Sequence, residues 1–146
     1  MLTEFDVIDH DEANMKQIRG TIEACYKRHV SWIGWTYTGF LDNDNVVSLL
    51  SQTYAQKVAG SVTEQEFDVS NTKDYLLRYK TCSSCTQPTV IFLNEQIHYP
   101  DGYTVDISPA NSTKWRRTRA NYIEIVPTSS LEETITIKIT KTTAKP

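Results

Sequence analysis

Two cysteines three positions apart, in Cys82-Ser-Ser-Cys85, have the separation of a zinc knuckle or of a redox dithiol. A third cysteine, Cys25, precedes His29 by one helical turn, so both could point at one ion. Four such ligands would suit a closed structural zinc site. Against that reading, helix and knuckle come in an unusual order, and no glycine follows Cys85 to ease the turn. In the plainer reading Cys25 is a small core residue, His29 ends a helix, and Cys82 and Cys85 flank an ordinary turn. The plainer reading is favoured, so no metal and no other cofactor is expected. A redox dithiol is disfavoured because the pair does not open a helix that would stabilise a thiolate.

The one basic cluster is Lys114-Trp115-Arg116-Arg117-Thr118-Arg119. Cations beside an indole can hold phosphate or single-stranded bases. Residues 61–146 as a whole hold ten acids and ten bases, so there is no wider basic surface and a docking contact with an acidic protein neighbour fits better. The acidic N-terminus of another copy, with Glu4, Asp6, Asp9, Asp11 and Glu12, would be one such neighbour. Lys114, Trp115, Arg116, Arg117 and Arg119 are therefore the candidate interaction residues. Trp32, Trp35, Tyr37 and Phe40 could stack on a sugar, but rings this dense between two amphipathic helices are more often core. His10 and His98 have no nucleophile nearby in sequence, and neither a Gly-x-Ser-x-Gly elbow nor a glycine-rich phosphate loop occurs. Glu64, Glu66 and Asp68 alternate as on a solvated strand. No enzyme is expected from these residues.

The elements that would position them fall into two parts. Asp9 or Asp11 can cap a helix whose apolar stripe is Ile18, Ile22, Cys25, Tyr26 and Val30. A second helix is predicted from Asp42–Asp44, with Val46, Val47, Leu50, Tyr54 and Val58 on one face and Gly60 as its stop. From Ser61 the period becomes two. Strands are predicted around Phe67–Val69 and Tyr75–Lys80, then at Val90–Leu93, Gln96–Tyr99, Tyr103–Ile107, Tyr122–Val126 and Thr134–Thr140. Ser108–Ala120 is left as a long basic loop. The expected fold is α+β: a helical segment over residues 1–60, and over 61–146 an antiparallel module that is β-sandwich-like or a small barrel.

Composition narrows the function classes. With 39% hydrophobic and 23% charged residues the chain resembles a soluble globular protein rather than a disordered one. A net charge of −3 argues against a protein that coats nucleic acid. No apolar run reaches the ~18 residues of a membrane span. The first residues lack a signal-peptide pattern, and three cysteines make no disulfide framework, so synthesis in a reducing cytoplasm is expected.

The stretch Ile91-Phe-Leu-Asn94-Glu95, Gln96–Tyr99 and Asp101-Gly-Tyr103-Thr-Val105, followed by Asn121–Pro127 and Glu133–Ile139, resembles a β-module of tailed-bacteriophage virion proteins. Fibre, neck, tail and other appendage components carry that pattern. The resemblance implies a non-enzymatic virion structural protein, in the neck, tail, baseplate or an appendage. It would assemble with copies of itself and with other virion proteins, without membrane or nucleic acid. Two departures stand out: Glu95 occupies the place of a turn glycine, and Gly102 is inserted before Tyr103. The alternative from another class is a small intracellular binding module with a structural zinc, touching nucleic acid through Trp115 and its arginines.

Overall fold

The computed structural model describes residues 1–2, 5, 12–34, 42–128 and 132–142. The chain forms two compact units, Met1–Ser51 and Gln52–Pro146.

In the first unit, helix α1 spans Glu12–Lys27 and buries Ile18, Ile22 and Cys25, residues spaced to share one face. It stops because His29 takes a left-handed conformation (φ 51°). His29 N–H then donates to the Tyr26 carbonyl at 3.0 Å and Val30 N–H to the Cys25 carbonyl at 2.9 Å, which satisfies the last carbonyls of the helix. Helix α2, Asp44–Leu50, begins at Asn43, whose side chain accepts from the Asn45 and Val46 amides at 3.0 and 3.4 Å. The predicted continuation of this helix to Val58 does not occur. It ends at Ser51, and Tyr54 and Val58 are claimed by the sheets or their links. Before α1, Leu2 makes a parallel bridge with Trp32. Leu2 N–H donates to the Ser31 carbonyl at 2.8 Å, and Ile33 N–H to the Leu2 carbonyl at 3.0 Å. The proposed caps Asp9 and Asp11, and Trp35, Tyr37 and Phe40 of the aromatic segment, lie outside the described residues.

Among its described residues the second unit holds eight strands: β1 Tyr54–Lys57, β2 Gly60–Phe67, β3 Tyr75–Thr81, β4 Thr89–Phe92, β5 Tyr103–Ser108, β6 Thr113–Arg119, β7 Tyr122–Pro127 and β8 Thr134–Lys141. They form two antiparallel four-stranded sheets, β1-β4-β7-β6 and β2-β3-β8-β5. The arrangement is sandwich-like, and the α+β expectation stands at that level. Side-chain alternation sets which face each strand buries. Tyr75, Leu77 and Tyr79 on β3 pair directly with Ile139, Ile137 and Ile135 on β8, and all six are shut from water. In the other sheet Ile91 of β4 lies opposite Ile123 of β7, and Ile125 of β7 lies opposite Thr89, again all buried.

Three local expectations change. Residues 95–98 are a turn rather than a strand, so Val90–Tyr99 is not a hairpin. His98 and Tyr99 N–H donate to the Asn94 and Glu95 carbonyls at 2.9 and 3.2 Å, one helical turn that a predicted strand cannot contain. Residues 113–119, expected as loop, are strand β6. Gly60 is not a helix stop but the first residue of β2. There a Cβ would collide with the Lys80 carbonyl oxygen and lie 2.8 Å from its carbon, so only glycine permits the β2–β3 approach.

Two substitutions test this packing by denaturant unfolding of the chain. Ile137→Ala should cost about 2–5 kcal/mol with an unchanged denaturant slope. Gly60→Ala should cost at least about 1–3 kcal/mol, because backbone rather than a movable side chain blocks the new methyl. A loss below about 0.5 kcal/mol at either position would contradict the packing described.

Candidate functional site

The predicted interaction residues share one edge strand. β6 lies at the margin of its sheet and pairs only with β7, in the register Lys114↔Val126, Trp115↔Ile125, Arg116↔Glu124, Arg117↔Ile123, with a bulge before Arg119↔Tyr122. Alternation therefore splits the cluster. Lys114 and Arg116 lie on the face of Val126 and Glu124, while Trp115 and Arg117 lie on the face of Ile125 and Ile123. Each arginine has a partner in the same unit. Arg116 donates to one Glu124 oxygen through Nε and Nη2, at 3.1 and 2.7 Å. Arg117 forks onto both Glu95 oxygens at 2.8 and 2.7 Å. The Arg119 guanidinium sits 3.9 Å above the centre of the Tyr122 ring. The Trp115 indole is 43% exposed, and Lys114 is exposed on the other face of the strand.

Glu95 is the hub that sequence reading passed over. Besides Arg117 it accepts from the Tyr103 hydroxyl (3.3 Å) and the Asn121 N–H (3.2 Å), while its own N–H donates to Asn121 Oδ1 at 3.0 Å. These contacts join the 95–98 turn to β5 of one sheet and to β6 and the β6–β7 turn of the other. The Arg117 fork, aided by the Asn121 amide, holds the Glu95 carboxyl below the usual range, despite partial burial. Tyr103 continues outward, its ring 6.5 Å from Trp115 and 5.6 Å from Tyr99. Burial pushes the Tyr99 hydroxyl up to about 12, with Thr53 pulling the other way. That hydroxyl lies 3.1 Å from Thr53 Oγ1 and donates to the Lys73 carbonyl at 3.0 Å. No local pattern announces Glu95, because its partners stand 8, 22 and 26 residues away.

The other candidates separate. Cys25 is buried on α1 while His29 is exposed past its end. Cys82 and Cys85 stand on the turn between β3 and β4. Among the described residues, no three His, Cys, Asp or Glu side chains come together where they could hold a metal ion. His98 is buried, with its ring edge-on to Phe67 at 5.0 Å. Glu64 pairs with Arg78, a solvated pair on the β2–β3 face. The acidic residues Glu4, Asp6, Asp9 and Asp11 lie outside the described residues.

Residues 52–139 match the glycoside hydrolase family 5 C-terminal domain. The chain belongs to that family. Among curated proteins it is 31% identical over 124 residues to an endoglycoceramidase of Hydra vulgaris, a match covering 74% of this chain and 23% of that protein. It is 32% identical over 117 residues to endoglycoceramidase I of Rhodococcus hoagii, covering 77% and 22%. An endoglycoceramidase of Cyanea nozakii matches over 143 residues at 26%, covering 84% and 28%. The chain thus spans about a quarter of the length of these relatives. Its fold is shared with endo-glycoceramidase II from Rhodococcus sp. in an iminocyclitol complex. That likeness has a TM-score of 0.71 and 19% identity, over 97% of this chain and 33% of the other. Cryptococcus neoformans sterylglucosidase 1 gives 0.70 at 14% identity, over 88% and 24%.

This membership overturns the phage resemblance. The virion structural role, the virion partners, the assembly with copies of itself that followed from them, and the virion location all fall with it. The expectation of a non-enzymatic protein is corrected as well, since the family is one of glycoside hydrolases. The physical reason is plain: half-buried antiparallel strands repeat the same alternation whatever the protein does, so the pattern from Ile91 to Ile139 carries fold and not function. At Gly102 the following strand β5 pairs with β8 in unbroken register, whereas at Glu95 the chain departs from the expected hairpin. The presumed hairpin turn there is the Glu95 hub.

The lowered Glu95 carboxyl gives a signed prediction. Its contribution to stability is present above the ordinary glutamate value near 4.5 and is lost as pH falls through the lower folded value. Glu95→Gln should lower the melting temperature by roughly 2–5 °C at neutral pH, with the gap closing as pH drops through that range. A gap independent of pH would assign the loss to packing instead.

Proposed function

We propose that this chain supplies the C-terminal part of an endo-acting glycoside hydrolase whose substrates are glycosylated ceramides. The observation that carries the reading is the extent of the matches: alignments of 117 to 143 residues to three endoglycoceramidases reach beyond the 52–139 domain. Sterol glycosides are the runner-up substrate, on the shared fold of a sterylglucosidase. In this reading Gln52–Pro146 is a non-catalytic β-domain whose sheets are packed as a sandwich. Trp115 on one face of β6 and Lys114 on the other are its exposed contact residues, and Arg116, Arg117 and Arg119 hold that strand in place.

The first unit takes a different part. A parallel Leu2–Trp32 pair joined through α1 has the form of a β-α-β crossover, the repeating element of parallel α/β proteins. In (β/α)8 barrels, catalytic groups stand at the C-terminal ends of such strands. Glu4 follows Leu2 by two positions in the sequence. A Rhodococcus endo-glycoceramidase II has been captured as its lactosyl-enzyme intermediate, which a retaining glycosidase forms on a carboxylate nucleophile. We assign that role to Glu4. The partner acid would come from the part of such an enzyme that this chain does not match.

A chimera tests both statements. This chain replaces the matching C-terminal segment of Rhodococcus hoagii endoglycoceramidase I, and release of oligosaccharide from a glycosylceramide is measured. Retained release is expected, and a folded but inactive chimera would overturn the assignment. In the active chimera, Glu4→Gln should lower kcat by on the order of 10³-fold or more while the melting temperature holds. A loss below tenfold would remove Glu4 from the chemistry.

A further inference from the structure

Cys82 and Cys85 take no part in the reading above, yet their geometry is specific. Cys85 N–H donates to the Cys82 carbonyl at 3.0 Å, which closes a β-turn with Ser83 and Ser84 at its centre. Such a turn keeps the two Cα atoms within about 7 Å, the upper limit of the separation a disulfide spans. Both cysteines are free and partly exposed. Cys82 Sγ lies 3.0 Å from Ser84 Oγ. The flanks are anchored independently of the sulfurs. Cys82 N–H donates to the Ala59 carbonyl at 3.2 Å, and Thr81 N–H to the Glu133 carbonyl at 2.8 Å. Glu133 N–H returns a bond to Thr81 Oγ1 at 2.7 Å, and Thr89 Oγ1 accepts from Ala59 N–H at 2.9 Å. The turn can therefore change its covalent state while β3 and β4 stay where they are.

We propose that Cys82 and Cys85 form a redox-modification site that closes to an intramolecular disulfide by exchange with small-molecule disulfides. In the first step the Cys82 thiol loses its proton, and its sulfur attacks one sulfur of the small disulfide. That S–S bond breaks, the leaving thiolate takes up a proton, and a mixed disulfide stands at Cys82. Cys85 then loses its proton and attacks Cys82 Sγ, expelling the second small thiol, which is protonated in turn. Two protein thiols are oxidised and one small disulfide is reduced to two thiols. Cys82 is the attacking residue because hydrogen bonds from Cys85 and Ser84 stabilise its thiolate and push its pKa down. Cys85, which gives its hydrogen bond to Cys82, is pushed up and resolves the intermediate. No helix N-terminus is needed: the neighbouring thiol and serine do what a helix end does elsewhere.

The test uses the whole 146-residue chain in buffers of varied reduced-to-oxidised glutathione ratio, alkylated and mapped by mass spectrometry. The expected product is a monomer whose 82–85 peptide has lost two hydrogens, with buried Cys25 still alkylated after denaturation. Its melting temperature should rise by roughly 2–6 °C over the reduced form. Thiols that stay reduced in excess oxidised glutathione, or that oxidise only between chains, would overturn the site. Two single variants fix the order of attack. Cys85→Ser should trap glutathione on Cys82 roughly 3–10 times faster than Cys82→Ser traps it on Cys85. Equal or reversed rates would overturn the assignment of Cys82 as the attacking sulfur. Both positions are partly exposed on a turn, and circular dichroism of each variant confirms that it is folded before rates are compared.

Discussion

Leu77 and Ile137 face each other across β3 and β8, both sealed from water, and the β-domain is organised around that pairing. β8 is the inner strand of its sheet, with β3 on one side and β5 on the other. Ile137 therefore stands opposite Leu77 and Ile107 at once, and Ile139 opposite Tyr75 and Val105. A slip of one residue would turn Ile135, Ile137 and Ile139 to water and bring Thr136 and Lys138 inward. Burial of three isoleucines is worth several kcal/mol, on the order of the net stability of a whole domain. Register is thus held by hydrophobic burial, and the turns adapt to it.

Polar contacts secure what that register leaves loose. The margin strand β6 buries little of its own surface and has one paired neighbour. Bare margin strands invite pairing with other chains. Here the basic side chains keep the strand soluble while the Glu95–Arg117 fork and the Arg116–Glu124 pair tie it to its own domain. Exposed ion pairs contribute little singly. Glu95 differs because it joins a bidentate fork, a tyrosine hydroxyl and two contacts with Asn121, so elements of both sheets meet on one carboxylate.

The β-domain matches a C-terminal domain of glycoside hydrolases along most of its length. Its interior is filled mostly by aliphatic and tyrosine side chains, with Thr53, Thr89 and His98 buried among them, and its polar hub is satisfied by its own neighbours. Function on a shared fold lies in the site and not in the scaffold. That separation is also why strand alternation could resemble an unrelated class of assembly proteins.

Sequence alone determined the elements whose burial is local and periodic: α1 through Ile18, Ile22 and Cys25, β3 and β7 through alternation, and β8 through its isoleucines. Those patterns suffice because the water-avoiding face is written in consecutive residues. Tertiary structure decided the rest. Tyr54 and Val58 fit a helical stripe, yet residues 54–57 pair with β4, since a strand partner satisfies more of their backbone than an extension of a seven-residue helix would. Residues 113–119 lack an apolar face and become strand only because β7 offers a ladder. The Glu95 hub and the Leu2–Trp32 bridge depend on residues 22 to 30 positions apart, beyond any local period. Cys82 and Cys85 were visible from the outset. What their turn adds is the Cys85 N–H bond to the Cys82 carbonyl and the Ser84 hydroxyl beside Cys82 Sγ, and only the folded chain supplies them.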